Sequence, residues 1–442
     1  MSQSNQLTLK HRIFRAGGWA VFGYGTIQLL RFAGNLILTR LLFPEAFGLM
    51  AIVQAVMVGL NMMSDVGIEQ SIIHNKKGNE PAFVNTAWTV KVVRGVLMWI
   101  ALWVLADPLA LFYGEPILAQ LLPVVGVSAV IAGFGSTNIA MADRNLGIAK
   151  TTIIDVGSYG FGLIVTVVLA WIDRSIWSLV IGNIAGTAAK TVASHVWLDG
   201  IRNRFSWEAE SLGALLTFGR WIFVGSALTF LAGEGSRLLI GKLLDVRILA
   251  FYSLASAISL LPLQIVQQIG GRILFPAYSE IVRERPEKLY AVVAKGRLVQ
   301  LVPYWLVCVI FVYFGQSLMG ILYDDRYKDS GWMLEILALG SLVGSLIASY
   351  NGVLWAKGLV RTSTVLLAIQ LLIQVPAMVA GAHFGGAKGL ALAVASVSWI
   401  LYPVHAFVYS RHSLWQPEID LPVFGISVLV LISALGSHGP FG

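Results

Sequence analysis

KHRIFRAGGWAVFGYGTIQLL (10–30) is the stretch on which the fold turns. Lys10, Arg12 and Arg15 precede an apolar run that continues to Leu38. A secretory signal has an apolar core of only about 7–15 residues followed by a small-residue cleavage site. This run is longer and lacks such a site, so it reads as a retained first membrane helix. The stretch then returns later in the chain. At an offset of 202, Gly17, Trp19, Gly23, Leu29, Leu36, Leu41 and Leu42 meet Gly219, Trp221, Gly225, Leu231, Leu238, Leu243 and Leu244, and Arg40 meets Lys242. At an offset of 213, Asn138, Leu146 and Thr151 meet Asn351, Leu359 and Thr364, and Arg144 meets Lys357. The step between the offsets fits a loop insertion, with the longer loop at 276–296 as its expected place.

Working outward, apolar runs long enough to cross a bilayer lie near 16–39, 46–73, 82–106, 116–142, 150–172 and 176–198. A second set lies near 213–241, 248–274, 297–318, 331–356, 361–382 and 387–410, and 420–436 is marginally long enough. Breaks carry turn or charge signals: PE at 44–45, NKKGNEP at 75–81, DP at 107–108, GEP at 114–116 and DR at 173–174. The expected architecture is an all-α membrane protein of 12–13 transmembrane helices in two parallel six-helix lobes, 1–200 and 213–412. A cytoplasmic linker (201–212, containing IRNRFSWEAES) joins the lobes, and a short tail with a marginal thirteenth helix follows (413–442).

Composition agrees. Of 442 residues, 57% are hydrophobic and only 12% charged, about half the usual charged fraction of a soluble domain; mean hydropathy is +0.76. The net charge of +8 sits mostly in short loops, which suits a membrane topology better than nucleic-acid binding. With the N-terminus inside, basic residues of the inner loops outnumber those of the outer loops by more than two to one. The single Cys308 cannot form an intrachain disulfide. GxxxxGK[ST], HExxH, CxxC and GxSxG are all absent, so ATP-driven pumping and familiar hydrolytic chemistry are unsupported, and neither a cofactor nor a metal is expected.

Seven basic residues fall outside the loops. Arg220 and Arg272 lie near helix ends, from which long cations snorkel. Arg31, Lys91, Arg94, Lys190 and Arg237 lie deeper, where a cation costs about 2.5–3.5 kcal/mol even on the insertion scale. They are the substrate-cavity candidates. Asp155, Glu234 and Glu335 are candidates for ion coupling or simple pairing, with Glu234 and Arg237 one helical turn apart; Asp65 and Glu69 lie near a helix end. Basic exceeds acidic in the apolar segments, which suits an anionic cargo. An organic-cation pump would want a buried carboxylate early in the chain, and the first helix has none. His195 and His405 are weaker relay candidates, and Tyr24, Tyr159, Tyr350 and Trp355 are aromatics deep enough to stack on sugar faces.

LILTRLLFPEAFGLMAIVQAV (36–56) resembles the first-to-second-helix signature of the polysaccharide and oligosaccharide flippases, within the superfamily that also holds multidrug exporters and lipid II flippases. LLIGKLLDVRILAFYSLASAI (238–258) resembles the same signature repeated, and MADRNLGIAKTTIIDV (141–156) and LWAKGLVRTSTVLL (354–367) resemble the family's cytoplasmic links. The resemblance implies a V-shaped exporter working by alternating access in the cell inner membrane. Its cargo would be an undecaprenyl-pyrophosphate-linked repeat unit for surface polysaccharide, and its protein partners a polysaccharide polymerase and a chain-length regulator. Many members have fourteen helices, more than this chain offers. The alternatives are a multidrug or organic-cation antiporter of the same superfamily, and a non-transporting scaffold of a polysaccharide assembly complex.

Overall fold

The structure is a computed structural model, and it describes residues 3–65, 67–74, 77–145, 147–213, 230–231, 233–270 and 274–437. Most of the 213–241 run, the repeat positions Gly219, Trp221 and Gly225, and Lys76, Arg220 and Arg272 lie outside the described residues.

Among the described residues the chain is helical, with no strand. The first compact unit, residues 1–230, carries α1 (Gln3–Leu41), α2 (Pro44–Ser64), α3 (Ile68–His74), α4 (Pro81–Tyr113), α5 (Leu118–Gly133), α6 (Asn138–Arg144), α7 (Ile148–Ile172) and α8 (Trp177–Val196). The second, residues 231–442, carries α9 (Gly235–Leu243), α10 (Val246–Ser259), α11 (Leu261–Ile269), α12 (Phe275–Glu284), α13 (Leu289–Leu322), α14 (Ser330–Ala348), α15 (Asn351–Ala356), α16 (Val360–Arg411) and α17 (Pro417–Ser437). Seven of the described helices are long and apolar enough to cross a membrane, or nine if two bent pairs each count as one crossing. The chain is thus an all-α, multi-pass membrane protein.

Local chemistry sets the helix ends. Pro44 and Pro81 stand in the first turns of α2 and α4, where the missing N–H costs nothing. Gly114, left-handed at φ 73°, closes α4. Several breaks differ from the sequence reading. The Asp107–Pro108 pair does not end a helix: α4 continues through it to Tyr113, because a proline removes one hydrogen bond and the flanking apolar run holds the rest. The run at 46–73 divides into α2 and α3. The run at 116–142 bends by 56° between α5 and α6, and that at 248–274 by 41° between α10 and α11. The break between the runs at 361–382 and 387–410 falls where the sequence reading puts it: within α16 two helices meet and reverse at Gly386 (φ 56°, ψ −138°), a backbone conformation open to glycine. The reversal packs Gly381 directly on the Gly389 carbonyl and within 2.9 Å (from its ideal Cβ position) of the Ala393 side chain, which a straight helix would hold about 18 Å away.

The element order repeats. Long α5 and short α6 match long α14 and short α15, and Asn138 and Asn351 begin the two short helices, 213 apart. Helices α4 and α13 begin at Pro81 and Leu289, 208 apart, so part of the offset step accrues before α13 and part after it.

Candidate functional site

In the first unit, Lys91 and Arg94 lie three residues apart on α4 and so share a face. Arg94 closes the C-terminal end of α2. Its Nε donates to Ser64 Oγ at 2.9 Å, and one terminal nitrogen donates to the Asn61 carbonyl at 2.7 Å and to Asn61 Oδ1. The other stands 4.0 Å from Asp65. Helix C-termini leave carbonyls without partners, and a guanidinium fork satisfies them well.

Lys91 is less well served. Its ammonium, with a side chain 18% exposed, has one carboxylate neighbour among the described residues, Glu69 at 3.7 Å, and Glu69 itself is 58% exposed. It lies beside Gly135 at the α5–α6 break. Two carbonyls at that break are already taken: Thr191 Oγ1 donates to Ile131 at 3.1 Å, and Trp88 Nε1 donates to Phe134 at 3.3 Å, with His195 Nε2 at 2.8 Å from the same oxygen. On the neighbouring helices, Lys190 of α8 pairs with Asp155 of α7 at 2.7 Å, both side chains nearly half exposed. Asp143, at the end of α6, accepts from Thr151 Oγ1 at 3.1 Å.

These groups form one electrostatic cluster. Lys190, Arg94 and Glu69 act on Lys91, and Glu69, Asp155 and Lys190 act on Asp143. Three cations (Lys91, Arg94, Lys190) thus meet four carboxylates (Asp65, Glu69, Asp143, Asp155), where the apolar segments as a whole carry a basic excess. Sequence reasoning passed over Asp143 because it stands in what reads as a loop beside Arg144. A fourth candidate cation, Arg31, is exposed on α1 and makes no hydrogen bond or ion pair among the described residues.

In the second unit Arg237 binds Glu234, the residue preceding α9, through two contacts of 2.8 and 3.0 Å, one helical turn apart. Glu335 of α14 accepts from the backbone N–H and the side-chain amide of Gln316 on α13, both at 3.0 Å, and so joins two helices. His405 Nδ1 lies 3.0 Å from the Leu401 carbonyl of its own helix. Of the aromatic candidates, Tyr24 OH accepts from Gln28 at 2.9 Å, and Trp355 is exposed.

The strongest ionic feature of this unit was not legible as a site. Arg297, which reads as a loop cation at a span end, is fully buried in α13 and pairs at 2.5 Å with Asp420 of α17, also fully buried. Arg297 further donates to Ser349 Oγ at 2.9 Å, Tyr350 OH at 2.7 Å and Gln416 Oε1 at 3.0 Å, and its guanidinium stacks 3.6 Å from the Tyr350 ring centre. Tyr350 and Tyr402 donate to the other Asp420 oxygen at 2.9 and 3.1 Å. Each side-chain nitrogen and oxygen of the pair has at least one partner, so the network ties α13, the α14–α15 break, α16 and α17 together.

A family model described as polysaccharide biosynthesis protein matches residues 37–331. The lipopolysaccharide biosynthesis protein WzxC of Escherichia coli K12 is 22% identical over 440 residues, covering 95% of this chain and 88% of that protein. The succinoglycan biosynthesis transport protein ExoT of Rhizobium meliloti is 22% identical over 448 residues, covering 97% and 88%. Among solved structures, the lipid II flippase MurJ in an inward closed conformation superimposes with a TM-score of 0.71 at 12% identity, over 96% of this chain and 94% of that one. An inward-facing multidrug resistance MATE transporter of the MOP superfamily gives 0.67 at 15% identity, over 88% and 94%. At such identities the likeness is one of fold.

Proposed function

Because the chain belongs to the polysaccharide biosynthesis protein family, we propose that it is a flippase carrying a polyprenyl-pyrophosphate-linked oligosaccharide across the cytoplasmic membrane by alternating access. It is a carrier, not an enzyme, as its structural neighbours are. The observation that carries the residue assignment is the state of Lys91. Among the described residues, a largely buried ammonium with three donors has one carboxylate near it, that of Glu69, no closer than 3.7 Å. A pyrophosphate offers the short, charge-assisted contacts that this arrangement lacks. Lys91 and Arg31, which has no partner among the described residues, are therefore assigned to the anionic cargo. Lys190 and Arg237 are assigned as cations that exchange a carboxylate (Asp155, Glu234) for the cargo during the cycle, and Arg94 as a structural cap of α2. The N-terminus is placed in the cytoplasm by the loop-charge bias, and a polymerase and a chain-length regulator are the natural neighbours of such a carrier.

The test is complementation in a host lacking its own flippase. Lys91→Met and Arg31→Ala at wild-type expression should lose most surface polysaccharide, while Arg94→Lys should keep more of it. Normal polysaccharide from both of the first two would overturn the assignment. The four carboxylates of the first unit's cluster (Asp65, Glu69, Asp143 and Asp155) favour a second reading, an organic-cation antiporter; drug resistance without complementation would select it.

A further inference from the structure

Residues 201–208 run without helix along the surface of the first unit, yet they are bound at nearly every step. The backbone N–H groups of Arg204, Ser206 and Glu208 donate to Asn85 Oδ1, Thr89 Oγ1 and Thr86 Oγ1 of α4 at 3.0, 3.0 and 3.1 Å. Asn203 Oδ1 accepts from Ser136 Oγ and the Thr137 N–H at the α5–α6 break, its amide nitrogen donates to Thr137 Oγ1, and Asn138 donates to the Ile201 carbonyl. The segment is therefore a strap, fixed in advance on α4 and α6.

Its outward chemistry is unbalanced. Nearby carboxylates are engaged: Asp199 with Lys150 at 2.9 Å, Glu210 with Lys77 at 2.7 Å, and Glu208 with Ser211 Oγ. Arg202 and Arg204 are exposed and have no side-chain partner among the described residues. Beside them three large rings face outward: Trp197 at the end of α8 is 59% exposed, Phe205 67% and Trp207 61%. Phe205 is propped against Trp88, ring centres 4.9 Å apart, so it is held outward by packing.

We propose that this strap is a docking face for anionic phospholipid headgroups at the membrane–water boundary. Two uncompensated guanidiniums match phosphodiester charge, and exposed tryptophan and phenylalanine rings suit the interfacial zone into which α8 ends. The inference is independent of the cargo.

The test maps contacts locally. The full chain is reconstituted into bilayers doped with photoactivatable phosphatidylglycerol or photoactivatable phosphatidylcholine, irradiated, and digested for peptide mapping. An arginine near an anionic surface strengthens attraction roughly five-fold, so the pair should favour phosphatidylglycerol by about 25-fold. Peptides covering 197–213 should label preferentially with phosphatidylglycerol in the wild type. In R202Q/R204Q that preference should fall to near unity, while F205A/W207A should lower labelling by both lipids. Arg202 and Arg204 are exposed and have no side-chain partner among the described residues, so R202Q/R204Q should melt with the wild type, while F205A/W207A, which loses the Trp88 contact, is compared at matched folded fraction. Equal labelling by the two lipids in the wild type, or an unchanged preference in R202Q/R204Q, would overturn the proposal.

Discussion

The cations of the first unit and the arginine of the second meet carboxylates under opposite conditions. Lys190 and Asp155 touch at 2.7 Å with nearly half of each side chain open, and Lys91 sits inside with its partner at 3.7 Å. Arg297 and Asp420 are shut away completely, and serine, glutamine and two tyrosines fill their remaining positions. An ion pair that water can reach is easily exchanged and contributes little to stability. A sealed pair whose every polar atom has a partner is not open to exchange, and breaking it strands a charge in an apolar interior. The first arrangement suits work on a passing anion; the second holds helices in place.

The contrast can be broken in order of expected effect. Arg297→Met or Asp420→Ala should cost about 3–5 kcal/mol, a large share of a domain's stability. In detergent either should appear as a steep fall in melting temperature or in monodisperse yield. The double variant R297M/D420L, which leaves no buried charge, should recover much of it; failure to recover would show that the polar shell matters more than the pair. Tyr350→Phe should cost less, about 1–3 kcal/mol, since it removes hydrogen bonds to Asp420, Arg297 and the Gln416 N–H but no charge. Asp155→Asn should change stability by under about 1 kcal/mol, the pair being half exposed, while transport falls. A larger stability loss at Asp155 than at Asp420 would reverse the contrast. Smallest is Asp199, whose carboxyl is held below its ordinary pKa by the hydrogen bond and charge of Lys150. Its contribution is present above the unfolded-state pKa and is lost as pH falls through the folded one. Melting curves of wild type and D199N against pH should therefore converge in acid and separate only slightly at neutrality.

The membrane class and most of the helical runs were readable because apolar length and loop charge are local signals. The Asn138/Asn351 match marked real counterparts, since both residues open short helices after a break. The Asp107–Pro108 pair misled because proline is read as a breaker from its immediate neighbours, while the surrounding apolar run carries α4 past it. Arg297 was missed for a deeper reason. A cation near a span end is ordinarily solvated, and its true partner lies 123 residues further along. Nothing short of packing brings Asp420, at the edge of a marginal apolar run, into the same pocket. Lys91 and Lys190 stood out by position alone, but the carboxylate majority around them, Asp143 included, appears only when α3, α4, α6, α7 and α8 come together.

Gly386 bears on how the chain is made. Straight, the 52 residues of α16 would extend about 78 Å, more than twice the roughly 30 Å hydrocarbon core. Folded at Gly386, with Gly381 lying on Gly389, the same segment is two crossings already paired along their backbones. During synthesis neither arm needs to wait in lipid for a distant partner: the hairpin can enter the bilayer as one preassembled piece. The residue that opens this route is the one whose conformation any side chain would strain.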